Sequence, residues 1–96
     1  MYKIIFSEIS KNDLNNISDI IFRFTFSKNI TDNIYQKIIT KIYSLQLFPY
    51  ICTSYKEYRI MLINKKYKVF YKVDENKKII KIYRILFSSS NYQEII

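Results

Sequence analysis

Residues 58–87 read YRIMLINKKYKVFYKVDENKKIIKIYRILF and predict three consecutive β-strands. Tyr58–Ile63 and Tyr67–Val73 are rich in aromatic and β-branched residues, and the second run alternates with the period of a strand. Asn64, which tolerates a positive φ, begins the turn between them, and residues 74–77 form the next turn. Lys78–Phe87 carries apolar residues on both faces, which is typical of a strand with neighbours on either side. The stretch therefore predicts an antiparallel meander.

The residues before this meander predict a strand followed by a helix. Tyr2–Ser7 has the composition of a short strand. From Ser10 the apolar residues recur at helical spacing, with Ser10 and Asn12 as candidate N-caps. The apolar positions of this first helix are Leu14, Ile17, Ile20, Ile21 and Phe24.

A second helix is predicted after a linker over residues 27–30. It opens near Asn29 or Thr31 and ends at Pro49, because a proline disfavours helix in the residue before it. Residues 52–57 are polar and give no strand signal, and residues 92–96 form a short C-terminal tail. The order β-α-α-β-β-β predicts the α+β class: an N-terminal strand, a helical hairpin laid across an antiparallel sheet, and a three-strand meander.

Composition excludes several kinds of chemistry. The chain has 96 residues, 49% hydrophobic and 25% charged, which suits one folded domain over residues 1–96. There is no histidine, and Cys52 is the only cysteine, so histidine triads, histidine metal sites and an internal disulfide are excluded. We expect no metal and no cofactor.

No apolar run approaches the roughly 20 residues of a membrane span, and charged residues follow the N-terminal strand at once, unlike a signal peptide. We expect a cytoplasmic protein without a membrane partner.

Positive charge is concentrated in the second half of the chain. The whole chain carries +8, and residues 56–84 hold ten lysines and arginines against three carboxylates, interleaved with tyrosines. Such a surface suits a polyanion, with lysines on phosphates and tyrosines stacked on bases. Alternatively, lysine accumulates on solvated strand faces by default, since a chain without Gly or Ala reflects AT-rich codon usage. The candidate nucleic-acid contacts are Lys56, Lys66, Lys68, Lys72 and Lys81.

Two arginines stand inside otherwise apolar strands. Arg59 follows Tyr58, and Arg84 lies within Ile82–Leu86. An isolated arginine in such a strand either pairs with a carboxylate or points into a functional groove. Both alternatives stay open at this point.

The motifs of residues 58–86 resemble the RelE/ParE superfamily, the toxins of bacterial type II toxin–antitoxin systems. The quoted motifs are YRIML at 58–62, YKVFYKVDE at 67–75 and IKIYRIL at 80–86. Asp13-Leu14 at the first helix, the I-x-x-L-x-x-F-P run ending at Pro49, and Asn91-Tyr92 near the C-terminus are similar to the same family. The resemblance covers essentially the whole chain.

The resemblance implies a small basic toxin, neutralised by a cognate antitoxin with an acidic, extended and largely helical segment. RelE-like members cleave mRNA in the ribosome, whereas ParE-like members inhibit DNA gyrase without nuclease activity. The first hypothesis is a ribosome-dependent mRNA endonuclease, in which Arg59 and Arg84 hold the scissile phosphate and Tyr92 acts as acid, base or stacking platform. The alternatives are a ParE-like gyrase inhibitor and a degenerate toxin that binds only its antitoxin.

One segment departs from the family pattern. Relatives often carry basic residues just before the Asn/Asp-Tyr pair, where this chain has Ser88-Ser89-Ser90. A serine hydroxyl can hydrogen-bond a phosphate but cannot neutralise it. This departure weakens the nuclease hypothesis.

Overall fold

The computed structural model describes residues 1–91 and 93. They form two α-helices and a five-stranded sheet. In chain order the elements are β1 (Lys3–Phe6), α1 (Glu8–Thr25), α2 (Lys28–Tyr43), a 3-10 turn (Ser44–Gln46), β2 (Thr53–Tyr55), β3 (Tyr58–Ile63), β4 (Tyr67–Asp74) and β5 (Ile79–Phe87). The α+β class and the three-strand meander are confirmed.

The sheet has the order β1-β5-β4-β3-β2. β5 lies between β1 and β4, as its apolar faces predict. The predicted antiparallel arrangement holds for β2 to β5, whereas β1 pairs with β5 in parallel, with Lys3 opposite Ile79 and Phe6 opposite Ile82. The helical hairpin supplies the crossover that a parallel pair requires.

Both helices begin earlier than predicted. The Ser7 Oγ accepts a hydrogen bond from the Ser10 backbone N–H (3.0 Å), so Ser7 caps α1, and Ser10 itself is buried. The Ser27 Oγ likewise accepts from the Ile30 N–H (3.2 Å), so α2 begins at Lys28. The predicted linker over 27–30 shrinks to Phe26 and Ser27, with Phe26 in the left-handed region at φ 51°.

The segment between α2 and β3 also differs from the prediction. Helix α2 ends at Tyr43, six residues before Pro49, and continues only as the 3-10 turn. Thr53–Tyr55, predicted to be a polar loop, forms β2 and pairs antiparallel with Tyr58–Ile60. A short polar strand of this kind is stabilised by its neighbour rather than by its own composition.

The core lies between the helices and one face of the sheet. Val69 and Tyr71 of β4 and Ile82 of β5 are fully buried against Ile38 and Ile42 of α2. Each such aliphatic side chain contributes about 1.5–3 kcal/mol when it leaves water. The opposite face of the sheet points away from both helices, although Phe70 on that face is also fully buried.

Candidate functional site

The candidate site is the face of the sheet that points away from the helices, which we call the open face. In β4 the core residues Val69 and Tyr71 alternate with Lys68, Phe70 and Lys72, as the sequence predicts. The residues that define the open face are Tyr55, Tyr58, Lys68, Phe70, Lys72, Lys81 and Tyr83.

Aromatic rings occupy the centre of the open face. Tyr58 of β3 and Tyr83 of β5 stack across β4, with ring centroids 4.8 Å apart and planes 12° from parallel. Tyr55 of β2 meets Phe70 edge-on, with centroids 6.4 Å apart. Burial raises the pKa of the Tyr58 hydroxyl, and the neighbouring Tyr83 raises it further. Tyr58 therefore stays neutral at physiological pH, and the stacked rings form an aromatic centre on this face.

Lysines surround these rings. The Lys72 Nζ lies 2.9 Å from the Glu57 carboxylate and 4.7 Å from the Tyr58 ring centroid, and the hydrogen bond to Glu57 raises the pKa of Lys72. Lys81 stands directly opposite Lys72 across the strands. The repulsion between these two like charges is offset by the Glu57 carboxylate on Lys72. Of the other predicted lysines, Lys68 is half-buried on this face, Lys56 lies over the Tyr55 ring at 5.5 Å, and Lys66 is in the β3–β4 turn.

Arg84 forms an ion pair with helix α1. Its Nε and NH2 each donate to the Asp13 carboxylate at 2.9 Å, and the same carboxylate accepts from the Ile85 backbone N–H at 2.9 Å. The Asp13 side chain is 8% exposed and that of Arg84 20%. This pair lies beyond the end of β1, where no strand of residues 1–91 borders that edge of β5 and α1 covers it instead. Of the two alternatives for Arg84, the structure shows the carboxylate pair.

Arg59 binds the loop before β2. Its NH1 donates to the backbone carbonyl oxygens of Cys52 (2.7 Å) and Tyr50 (3.2 Å), and the guanidinium lies 4.8 Å from the Tyr50 ring centroid. The Tyr71 hydroxyl donates to the Pro49 carbonyl of the same loop at 2.8 Å. Arg59 and Arg84 thus contact different parts of the chain, and both contacts hold backbone in place.

A carboxylate cluster, not foreseen in the sequence, fixes the other side of this loop. Glu75, in the β4–β5 turn, accepts hydrogen bonds from the hydroxyls of Tyr2 and Tyr50 (2.6 Å for Tyr50) and from the Lys78 Nζ (2.9 Å). These donors lower the pKa of the Glu75 carboxyl from 4.5 to about 2, and the bond to Glu75 raises the pKa of Tyr50 to about 12. The cluster joins the residue before β1, the loop and the turn, and we call it the Glu75 clasp.

The C-terminal site predictions are only partly covered. Tyr92 lies outside the described residues, so its predicted role stays a prediction. Ser88 is tied to the β3–β4 turn: its N–H donates to the Lys66 carbonyl at 2.7 Å, and its Oγ donates to the Lys65 carbonyl at 2.9 Å. The serine that departs from the family pattern thus holds two loops together.

The structure brings Lys68, Lys72 and Lys81 onto one face but directs Arg59 and Arg84 to separate partners. The sequence analysis gave Asp13 no partner. Its carboxylate lies on the buried side of α1 with Ser10, Leu14 and Ile17, and because a buried carboxylate needs a partner, its position was a usable signal.

Within residues 1–91 and 93, no group of three His, Cys, Asp or Glu side chains could hold a metal ion. No helix in that same part is long and apolar enough to cross a bilayer.

A family model described as "ParE toxin of type II toxin-antitoxin system, parDE" matches residues 4–92. The chain belongs to this toxin family. It is therefore the toxin component of a type II toxin–antitoxin system, and the RelE/ParE resemblance is confirmed. No curated protein matches the sequence significantly.

Solved structures share the fold of this ParE-family toxin. The chromosomal ParDE system from P. aeruginosa superposes with a TM-score of 0.74 at 18% identity, covering 88% of this chain and 94% of that one. The RelBE2 toxin–antitoxin complex from Mycobacterium tuberculosis gives 0.58 at 12% identity, covering 90% and 96%. The isolated E. coli RelE toxin gives 0.58 at 12% identity, covering 99% and 95%. At these identities the likeness establishes the fold and leaves the target open.

Proposed function

We propose that this ParE-family toxin stops growth by binding DNA gyrase and that it does not cleave RNA. The observation that carries the proposal is the ion pair between Arg84 and Asp13. RNA cleavage through the 2′-hydroxyl needs positive charge on the developing phosphorane. The Arg84 guanidinium already has a carboxylate on two of its nitrogens, so its charge is neutralised locally.

The contacts of Arg59 also favour a toxin that does not cleave RNA. Its NH1 is engaged by two carbonyl oxygens, and turning it toward a phosphate would leave those oxygens without their donor. With no histidine in the chain and serines at residues 88–90, few groups remain to serve as acid or base. A binding role needs none of them.

The partners of this proposal are the cognate antitoxin and gyrase. Some of the solved relatives are toxin–antitoxin complexes, which supports an antitoxin for this chain as well. Since its charge is +8, we expect the antitoxin segment to be acidic and its association to weaken with salt. Both partners would place the toxin in the cytoplasm.

The experiment is a pair of assays on the same purified protein. In the first, gyrase supercoils a relaxed plasmid with and without the toxin; in the second, ribosomes programmed with a defined mRNA are incubated with the toxin and mapped for cleavage. We expect supercoiling to stop and the mRNA to stay intact. Cleaved mRNA with normal supercoiling would contradict the proposal.

The endonuclease remains the second candidate, because the open face combines stacked tyrosines with Lys68, Lys72 and Lys81. In that case Arg59→Ala, Arg84→Ala and Tyr92→Phe variants, each checked for folding by circular dichroism, should lose mRNA cleavage. A protein that fails in both assays and does not arrest growth when induced would be a toxin that binds only its antitoxin.

A further inference from the structure

The connecting end of the helical hairpin extends past the core. On α1 the last apolar residue packed against the core is Ile21, and on α2 the first is Ile34. We call residues 22–30, which lie between them, the hairpin apex. Phe24 continues the apolar spacing of Ile17 and Ile21 along α1, yet it is 84% exposed. The apolar stripe of α1 therefore runs on beyond the body of the protein.

Large apolar side chains dominate the hairpin apex. Besides Phe24, Phe26 is 81% exposed, and Phe22 and Ile30 are each 46% exposed. At roughly 200 Å² for an aromatic side chain, these four together expose on the order of 500 Å² of apolar surface. An apolar patch of this size is among the largest that a monomeric protein presents, and such patches often mark a binding surface.

The turn that presents these rings is ordered by its own hydrogen bonds. Phe26 adopts the left-handed conformation (φ 51°), and its N–H donates to the Phe22 carbonyl at 2.7 Å. The Thr25 Oγ1 donates to the Ile21 carbonyl at 3.0 Å and accepts from the Ser27 N–H at 3.2 Å. Because these two N–H groups are already bonded, the turn can enter an apolar medium without leaving them unsatisfied.

Positive charge accompanies the rings, and no carboxylate offsets it. Residues 20–31 contain Arg23 and Lys28 and no acidic residue. Both cations are exposed, and neither forms an ion pair within the part of the chain that the structure describes. The nearest carboxylates in the sequence, Asp19 and Asp32, lie at least one helical turn from the ends of α1 and α2 at the apex. The hairpin apex thus combines exposed aromatic rings with two unpaired cations.

A second copy of this chain does not suit the hairpin apex. An apolar patch on the order of 500 Å² is smaller than the roughly 800 Å² per partner of a stable interface. Apex-to-apex contact would also bring together two copies of Arg23 and of Lys28. A lipid surface sets no such minimum area, because each inserted apolar side chain contributes on its own, and anionic headgroups complement the cations.

We propose that the hairpin apex docks the protein on an anionic lipid surface. Phe24 and Phe26 enter the boundary between headgroups and acyl chains, while Arg23 and Lys28 contact the lipid phosphates. The net charge of +8 attracts the whole molecule to the same surface. The expectation of no membrane partner rested on the lack of a spanning segment, which surface docking does not need. The inference is independent of the choice between gyrase and mRNA as the target.

A fluorescence titration of the full-length protein tests the contact directly. The chain contains no tryptophan, so Phe24→Trp introduces a single reporter at the apex. The vesicles consist of phosphatidylcholine with about one-third phosphatidylglycerol, or of phosphatidylcholine alone. On the anionic vesicles we expect the emission to move to shorter wavelength and to resist quenching by acrylamide, with a much smaller change on the neutral ones.

Phe48→Trp is the matched control for this titration. Phe48 is 62% exposed and lies next to other exposed apolar residues, but residues 42–55 contain no charged side chain. We expect the emission of this variant to stay unchanged on both kinds of vesicle. A shift in Phe48→Trp with none in Phe24→Trp would place the lipid contact on the wrong surface and overturn the inference.

Co-sedimentation with the anionic vesicles measures what the rings contribute. Phe24→Ser combined with Phe26→Asn should lower the partition coefficient at least tenfold, because both inserted side chains are lost. Asparagine tolerates the left-handed backbone of residue 26, so the turn keeps its shape. Phe48→Ser should change the partition coefficient less than about twofold.

Charge variants separate the hairpin apex from the net charge. Arg23→Gln combined with Lys28→Gln should lower the partition coefficient about tenfold. Lys65→Gln combined with Lys77→Gln removes the same charge from the turns of the sheet and should lower it less than about threefold. Equal losses in the two pairs would mean that net charge alone drives binding, and the inference is then overturned. It is also overturned if the protein forms dimers that the two phenylalanine substitutions abolish, because the apex would then be a self-interface.

Discussion

At the scale of single residues, the ion pair of Arg84 with Asp13 is the contact that most constrains both stability and function. The carboxylate satisfies a guanidinium and the buried backbone N–H of Ile85 at once, beyond the end of β1. Its partner lies 71 residues away in the chain, so sequence periodicity could show that Asp13 faces the core but not which residue it meets.

We predict that Asp13→Ala lowers the free energy of unfolding by about 3 kcal/mol, because it leaves a half-buried guanidinium and a buried N–H without an acceptor. The control is Glu57→Ala, which breaks the exposed pair with Lys72 and should cost at most about 1 kcal/mol. Urea unfolding of the three proteins measures both changes. Equal losses in the two variants would mean that the buried pair contributes no more than a surface one.

At the scale of elements, what could be predicted depended on the local pattern. The two faces of β4 followed from alternation, since Lys68 and Lys72 point away from the core that contains Val69 and Tyr71. The start of α1 was missed, because several Ser and Asn residues could serve as N-cap. The choice of Ser7 depends on β1, whose ladder ends with the Ser7 N–H bonded to the Ile82 carbonyl.

Contacts between distant elements were the part that the sequence could not show. Strand β2 has no periodicity of its own, and the parallel pairing of β1 depends on the crossover through both helices. The Glu75 clasp joins three segments that are far apart in the chain. These contacts are tertiary, and no pattern within a single element encodes them.

The clasp predicts how stability depends on pH. The pKa of Glu75 in the folded protein, about 2, is below its ordinary value of 4.5, so the unfolded chain binds more protons between these values. Stability from the clasp is therefore complete above about pH 5 and is lost as the pH falls toward 2. We expect the urea midpoint of the native protein to fall more steeply from pH 6 to pH 3 than that of Glu75→Gln. Parallel curves would show that the clasp does not contribute.

At the scale of the whole molecule, the chain carries a charge of +8, and its lysines lie on both sides of the sheet. The open face carries Lys68, Lys72 and Lys81 around stacked tyrosines, whereas Lys37 and Lys41 belong to α2 on the helix side. A basic surface attracts any polyanion, so its affinity for nucleic acid alone does not distinguish a nuclease from a toxin that binds a protein.

We predict that the open face binds single-stranded RNA weakly and without sequence preference, whether or not the protein cleaves it. If three lysines contact phosphates, a plot of log K against log salt concentration for a uridine oligonucleotide should have a slope of about −2. Lys81→Gln removes one contact and should make the slope shallower by about 0.7. Lys37→Gln removes the same charge from the opposite side of the sheet and should leave the slope unchanged.

Fluorescence anisotropy at several salt concentrations measures all three proteins. If Lys37→Gln changed the slope as much as Lys81→Gln, binding would follow net charge, and the arrangement of lysines around Tyr58 and Tyr83 would have no part in it.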